Sequence, residues 1–215
     1  MTGEKRMFGL FEAAFDSLYL AFALGLGIYM LGSSSSYART LAGWMAIVLA
    51  GGDAFHLVPR IASVWTGDAA RFRAALGVGK LVTSITMTAF YAILWHLGML
   101  LNPGVHALWT EVFYGLVILR VALCLPAENR WLWEKPPVKW GVIRNLPFLL
   151  MGIQVAALFA AGGGLPLMPF AILLSFLFYI PVVLLSNAHP KIGMLMLPKT
   201  LAYAWILIMC AQNFH

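Results

Sequence analysis

The stretch that decides the fold covers residues 165–186 and reads LPLMPFAILLSFLFYIPVVLLS. None of its side chains is charged. A helix needs about 20 consecutive apolar residues to cross the hydrocarbon core of a bilayer. A lipid-facing β-strand would instead alternate apolar and polar residues, and this stretch does not. The stretch therefore predicts a membrane-spanning helix.

Six further apolar runs of comparable length lie on either side of it. The predicted spans are residues 11–31, 41–64, 76–101, 108–125, 142–161, 165–186 and 192–212. Turn-forming sequences separate them, such as the serines at 33–36, Asn-Pro-Gly at 102–104 and the glycines at 162–164. The chain of 215 residues is 62% hydrophobic and only 10% charged. We expect one all-α domain over residues 1–215, a polytopic seven-helix transmembrane bundle.

Basic residues fall almost entirely on one side of this topology. Arg39 alone lies on the other side, which leaves 13 of the 14 Lys and Arg residues together. Because cytoplasmic loops of membrane proteins are enriched in Lys and Arg, the N-terminus is predicted inside and the C-terminus outside. We expect a multi-pass protein of the cell (plasma or inner) membrane. The net charge of +6 is then a topology signal, with attraction to anionic lipid heads, and does not indicate nucleic-acid binding.

The second predicted span contains ionisable side chains. Asp53, His56 and Arg60 are spaced i, i+3 and i+7, so they share one helix face. Asp53 lies about 10 Å from Arg60 along the axis, at a rise of about 1.5 Å per residue. An ionisable residue inside a membrane span is by default a candidate for a functional role. We expect Asp53 and His56 to be catalytic and Arg60 to bind substrate. The alternatives are a structural ion pair for Asp53, a packing role for His56, and interface contact for Arg60.

Two other spans carry ordered polar residues. Glu12 and Asp16 form an i, i+4 carboxylate pair in the first span and are candidate catalytic groups. They alternatively neutralise nearby arginines. The third span presents a polar stripe on one face, which is either substrate-binding or hydrogen-bonds neighbouring helices. That stripe consists of Lys80, Ser84, Thr88 and Tyr91.

Lys199 lies about 12 Å into the seventh span, at about 1.5 Å per residue, and one turn before Tyr203. That depth predicts a carboxylate partner, either Asp16 or Asp53. Polar residues of spans one, two, three and seven thus predict a wet, charged cavity open to the cytoplasm or inner leaflet. The predicted substrate-binding residues are Arg60, Lys80, Ser84, Tyr91, Arg120, Arg144, Asn187, His189, Lys199 and Tyr203.

Residues 130–140 place three tryptophans among basic residues, a combination typical of the headgroup layer. This segment is predicted to be an interfacial anchor or a dock for a lipid substrate. A metal centre would have to use Asp53, His56 and His189. Because neither H-x-x-x-H nor H-E-x-x-H occurs, no metal site is predicted.

Gly52-Asp53-Ala54-Phe55 resembles a motif of the lysoplasmalogenase family of polytopic membrane hydrolases. That family carries Gly-Asp followed by apolar residues in an early helix. The similarity extends to about residue 91, and Ser186-Asn187 corresponds to the family's later Ser-Asp, with an amide in place of the acid. The resemblance implies hydrolysis of the vinyl-ether bond of a lysophospholipid, with Asp53 as a catalytic residue.

Three classes of function fit these features. The favoured class is an intramembrane enzyme acting on a lipid or amphiphilic small molecule. A small-solute or proton-coupled transporter or channel also fits a one-sided cavity, although the sequence shows no inverted repeat. A seven-helix receptor is the third, since Lys199 in the last span invites comparison with retinal proteins, but the third span offers no acid as counter-ion. Expected partners are membrane lipids and a small-molecule or lipid substrate; the sequence specifies no cofactor and no oligomeric state.

Overall fold

The computed structural model describes residues 3–162 and 164–214, and no strand occurs within these ranges. Two short 3₁₀ helices, Ala127–Asn129 and Pro190–Leu195, interrupt the connections between the α-helices. The α-helices are α1 (Gly3–Gly32), α2 (Tyr37–Thr66), α3 (Arg73–Leu101), α4 (Ala107–Cys124), α5 (Val138–Gly162), α6 (Met168–Leu185) and α7 (Met196–Asn213). Seven helical segments are long and apolar enough to cross a membrane, the last of them including the second 3₁₀ helix. The all-α prediction with seven such segments is confirmed.

The helix ends follow the predicted turn chemistry. The Ser36 side chain accepts a hydrogen bond from the backbone of Arg39 at the start of α2. Gly67 ends α2 with φ of 71°, a left-handed conformation that glycine adopts without steric cost. The predicted seventh span of residues 192–212 matches the helical segment Pro190–Asn213, of which residues 190–195 form a 3₁₀ turn and not part of the α-helix. α5 ends at Gly162, and the predicted break at Gly163 lies outside the described residues.

Consecutive helices pack side by side, and α7 returns to contact both α1 and α2, so the seven helices form a closed ring. α3 also contacts α5 across this ring. The chain alternates direction along the ring. We call the end at which α1, α3, α5 and α7 begin the polar end, and the other the opposite end.

α2 and α3 approach each other closely where two glycines remove the side chain. Gly79 of α3 lies against the backbone of Phe55 and His56, and an added Cβ would stand 2.7 Å from the His56 Cα. Gly52 of α2 has the same effect, because the Thr86 side chain of α3 occupies the space that a Cβ at residue 52 would need. Thr83 of α3 fixes the contact by donating to the Gly52 carbonyl at 2.9 Å. This contact sets the position of His56 relative to α3.

The opposite end is filled with apolar side chains and one buried arginine. Trp95 stacks on Phe113 with ring centroids 4.5 Å apart, and both rings are buried. Arg39 donates to Ser33 and to the backbone carbonyls of Ala211 and Phe214, the latter at 2.7 Å. Arg39 therefore joins the start of α2 to the end of α1 and the end of α7.

Candidate functional site

A cavity of about 420 Å³ lies at the polar end of the bundle. Helices α2 to α7 line it, together with the segment of residues 131–137 that connects α4 to α5. The expectation that the first span contributes to this cavity is wrong, because α1 supplies none of the described lining residues. The cavity instead draws on α4, α5 and α6.

The walls of this cavity carry an excess of positive charge. Five basic side chains line it, whereas Glu134, which is exposed, is the one carboxylate among the described lining residues. The basic residues come from five helices that lie far apart in sequence. They are Arg60, Lys80, Arg120, Arg144 and Lys199.

Arg120 of α4 is 1% exposed and is anchored to α5 by neutral groups. Its Nη1 donates to the backbone carbonyl of Arg144 and, at 2.8 Å, to the Asn145 side-chain oxygen. Its guanidinium lies 4.4 Å from the centre of the Phe148 ring. Its Nε has no hydrogen-bond partner among the described residues. Arg120 is thus held in place with its charge uncompensated by any carboxylate.

Arg144 of α5 is held in a comparable way. Its Nη1 donates to the Asn129 side-chain oxygen at 2.9 Å, and its guanidinium lies 4.1 Å from the centre of the Trp131 ring. Within the described chain its Nε is also unpaired. Trp131 in turn donates to the Cys124 carbonyl at 3.0 Å. The predicted tryptophan-rich anchor segment therefore supplies a wall of the cavity through Trp131.

Lys199 of α7 lies between two tyrosine rings. Its Nζ is 4.7 Å from the centre of the Tyr179 ring and 5.0 Å from that of Tyr203. The residue is only 8% exposed and lines the cavity. Lys199 forms no ion pair with Asp16 or Asp53, because Arg60 with Glu12 is the one ion pair within 4.0 Å in the described structure. Asp53 nevertheless lies close enough to attract the Lys199 charge, so the predicted partner is present only at longer range. Aromatic rings stabilise a cation through their faces, but they carry no net negative charge and do not neutralise it.

Three acidic residues, Glu12, Asp16 and Asp53, lie on α1 and α2 next to the cavity but not in its walls. Asp53 accepts a hydrogen bond from the Tyr19 hydroxyl at 2.9 Å. Glu12 pairs with Arg60, and Asp16 is buried nearby on α1. None of the three carboxylates lines the cavity. The catalytic role of Glu12, Asp16 and Asp53 therefore stays a prediction, and the described geometry places Glu12 in contact with the cavity only through Arg60.

His56 does line the cavity. Its buried Nδ1 has no hydrogen-bond partner among the described residues, so the expected proton sharing with Asp53 is not present. The two residues separate because Asp53 bonds to α1, whereas the backbone at His56 lies against Gly79 of α3. His56 is the group at this site best suited to accept a proton, since a neutral imidazole has one acceptor nitrogen.

The remaining predicted binding residues divide into two groups. Lys80, Ser84 and Asn187 line the cavity; Ser84 donates back to the Lys80 carbonyl at 2.9 Å, and Asn187 donates to the Pro136 carbonyl at 2.8 Å. The other group lies outside the cavity walls. Tyr91 is buried with its hydroxyl 3.3 Å from that of Ser175, the Tyr203 ring contacts the Lys199 Nζ, and His189 is exposed. Substrate binding by these three residues stays a prediction, because none of them lines the cavity.

Sequence reasoning missed Tyr179, which contacts Lys199 and donates to Asn145 at 3.1 Å. Tyr179 lies in α6, and it was overlooked because most residues of this run are apolar. The available signal was a sparse polar stripe at i, i+4 and i+11, formed by Ser175, Tyr179 and Ser186. Phe148 was missed as well, and an aromatic residue in an apolar run gives no signal of its own.

In the part of the chain described, His, Cys, Asp and Glu do not gather in groups that could hold a metal ion. The fold and the site define a seven-helix bundle with a cationic cavity at one end. Comparison of the chain with protein-family models, with curated proteins and with solved structures gives no match. The functional interpretation therefore starts from the cavity residues themselves.

Proposed function

We propose that the seven helices span the cell membrane, with the polar end in the cytoplasm and the C-terminus outside. Large apolar side chains on the outer faces of the helices support this, because a lipid environment would cover them. Examples are Leu18, Ile118 and Phe170, each exposed in the isolated chain. The basic residues concentrated at the polar end support the orientation.

We infer that the cavity binds the anionic headgroup of an amphiphile, with phosphate as the shared chemistry. The observation that carries this inference is the set of cations held by neutral partners. Arg120, Arg144 and Lys199 are positioned by amides, carbonyls and aromatic rings, and none of them forms an ion pair within 4.0 Å among the described residues; Asp53 acts on Lys199 only at longer range. Buried charges are normally paired, and an anionic ligand would supply the missing partner.

We propose further that the protein is an enzyme that hydrolyses an amphiphile of the lysophospholipid class. In this mechanism Arg120, Arg144 and Lys199 hold the phosphate, and His56 accepts a proton from the attacking water. For an ester link, the water oxygen adds to the carbonyl carbon, the bond from that carbon to the leaving oxygen breaks, and the protonated His56 returns its proton so that this oxygen departs as a hydroxyl. For a vinyl-ether link, a protonated His56 would first give its proton to the β-carbon of the double bond, after which water adds to the carbon that carries the ether oxygen. The resemblance at Gly52-Asp53 supports the same substrate class but assigns catalysis to Asp53. Asp53 would then act indirectly, by holding α2 against α1 through Tyr19.

Purified protein in detergent tests this function with long-chain lysophospholipids bearing an ester or a vinyl-ether link. We expect product release by the wild type and a loss of about 100-fold or more in His56→Ala, the usual range for general base catalysis. His96→Ala is the matched control, because His96 lies on α3 outside the cavity walls. Binding without turnover by the wild type would exclude the enzyme while retaining the binding site. A loss in Asp53→Asn as large as that in His56→Ala would return catalysis to Asp53.

Transport is the second candidate, favoured by a specific feature of the α1–α2 boundary. Asp16 is buried there without a hydrogen-bond or ion-pair partner among the described residues. A buried carboxylate next to a one-sided cavity suits proton-coupled movement of an anion. Proteoliposomes with an imposed pH gradient distinguish the two functions. Uptake of an organic phosphate that is lost in Asp16→Asn would favour transport, whereas turnover without any gradient favours the enzyme.

A further inference from the structure

A second cavity, of about 200 Å³, runs as a groove between α5 and α6. Its walls are mostly aliphatic and include Leu146 and Leu149 of α5 with Ile180 and Leu184 of α6. The groove is formed by the outer sides of the two helices, where Leu146 and Leu184 are exposed. In a membrane this groove would face acyl chains.

The groove and the cationic cavity share part of their walls. Tyr179 and Val183 line both of them. Asn145 lines the groove and accepts a hydrogen bond from Tyr179 at 3.1 Å, while Arg120 reaches the same Asn145 oxygen at 2.8 Å. Tyr179 and Val183 therefore form a dividing wall between the apolar groove and the cavity, and Arg120 lies on the cavity side of it.

We propose that the groove holds the single acyl chain of an amphiphile whose phosphate lies in the cationic cavity, so that the ligand comes sideways out of the bilayer between α5 and α6. This inference rests on the proposed headgroup binding. Its own support is the adjacency of a chain-sized apolar groove and an uncompensated anion site at Tyr179. A free, water-soluble phosphate compound would use the cavity and leave the groove empty.

Narrowing the groove tests the proposal. Ile180→Trp places a large side chain in the groove, and Leu177→Trp places the same side chain on the lipid-facing surface of α6, outside it. Binding of long-chain lysophosphatidic acid and of glycerol 3-phosphate is measured with the full chain in nanodiscs. We expect Ile180→Trp to weaken lysophosphatidic acid by about tenfold or more, because buried methylenes are displaced. Glycerol 3-phosphate binding should be unchanged in both variants.

Equal affinities for lysophosphatidic acid in the two tryptophan variants would overturn the groove proposal, while glycerol 3-phosphate binding would still support the headgroup site. Absence of binding by either compound to the wild type would remove the proposed function itself. Unchanged glycerol 3-phosphate binding by each tryptophan variant shows that the variant is folded. Lysophosphatidic acid with a photoreactive tail should label residues 142–149 and 176–184, and labelling spread over α1 and α4 instead would contradict the proposal.

Discussion

Arg39 and Arg120 are both buried arginines, at 4% and 1% exposure, and neither has a carboxylate partner among the described residues, yet they are bound in different ways. Arg39 uses all three of its nitrogens, donating to Ser33 and to two carbonyls at the end of α7. Those carbonyls belong to a helix C-terminus, whose partial negative charge complements the cation. Arg120 uses only Nη1 for its two hydrogen bonds, and its Nε is unpaired among the described residues.

This difference distinguishes Arg39, which stabilises the fold, from Arg120, which is available to bind a ligand. At the opposite end the protein satisfies the arginine itself, so no ligand is needed there. At the polar end the protein orients Arg120 and Arg144 with neutral groups. The Nε donors of both arginines are unpaired among the described residues. A buried charge without compensation costs free energy, so such an arrangement is maintained only if something else gains from it. The comparison therefore makes opposite predictions for substitutions at the two ends.

Lys199→Met should produce the largest effect on ligand binding. The affinity for lysophosphatidic acid is expected to fall by about 100- to 1000-fold, in line with the loss of a buried charge contact. The free energy of unfolding should rise, because an uncompensated buried charge is replaced by an apolar side chain of similar length. Binding titrations and denaturant unfolding in detergent measure the two quantities. Lys191→Met is the control, since Lys191 is exposed and outside the cavity; unchanged affinity in Lys199→Met would contradict the assignment.

Arg39→Met should have the reverse profile. Its loss leaves the carbonyls of Ala211 and Phe214 without their donor, and hydrogen bonds to charged groups contribute about 1.5–3 kcal/mol each. We expect the free energy of unfolding to fall by about 3–6 kcal/mol, with ligand affinity unchanged in the folded fraction. Thermal unfolding together with binding measured well below the midpoint tests this. A drop in affinity as large as that expected for Lys199→Met would show that Arg39 also contributes to ligand binding, which contradicts its purely structural role.

Gly79→Ala should disturb the site through the helix contact that positions it. The added methyl group meets the α2 backbone at His56, so overpacking is expected to cost about 1–3 kcal/mol of stability. Turnover should fall more than headgroup affinity, because His56 moves while Arg120 and Arg144 stay in place. Gly51→Ala is the matched control, since a Cβ there meets nothing within 4 Å. Equal effects of the two substitutions would show that the close contact does not position His56.

Glu12→Gln should have the smallest effect. Glu12 pairs with Arg60, which also lines the cavity, so the substitution frees one cation for the ligand. Partly exposed ion pairs contribute up to about 1 kcal/mol, and affinity for lysophosphatidic acid is expected to rise about twofold. The same titration at low and high salt measures this gain, which should shrink as salt screens it. A fall in affinity would place Glu12 itself at the binding site.

The seven helices could be predicted because apolar length and turn residues are local properties of the sequence. The stretch 165–186 and the Asn-Pro-Gly at 102–104 identify a span and a break without any knowledge of neighbours. The 3₁₀ turn at residues 190–195 could not be predicted in this way, since its residues continue the apolar run of α7. The gathering of basic residues at one end was visible, because alternating chain direction brings them together.

The partners of the charged residues could not be predicted, because helical periodicity gives a face but not the helix that it meets. Asp53 and His56 share a face in sequence, yet one bonds to Tyr19 of α1 and the other lines the cavity beside α3. The depth of Lys199 suggested a carboxylate, whereas two tyrosine rings fill that position. Tyr179 gave almost no signal, since one hydroxyl in an apolar helix changes its hydropathy very little.

The packed opposite end has a consequence for what happens after a reaction. Trp95, Phe113 and their buried neighbours fill that end, so a molecule in the cavity would leave by the side between α5 and α6 or by the mouth, the open side of the cavity at the polar end. If a bound amphiphile is cleaved at the dividing wall, the fragment with the acyl chain would return to the bilayer through the groove between α5 and α6. The phosphate fragment departs into water through the mouth. The architecture would sort the two products by solubility without any moving gate.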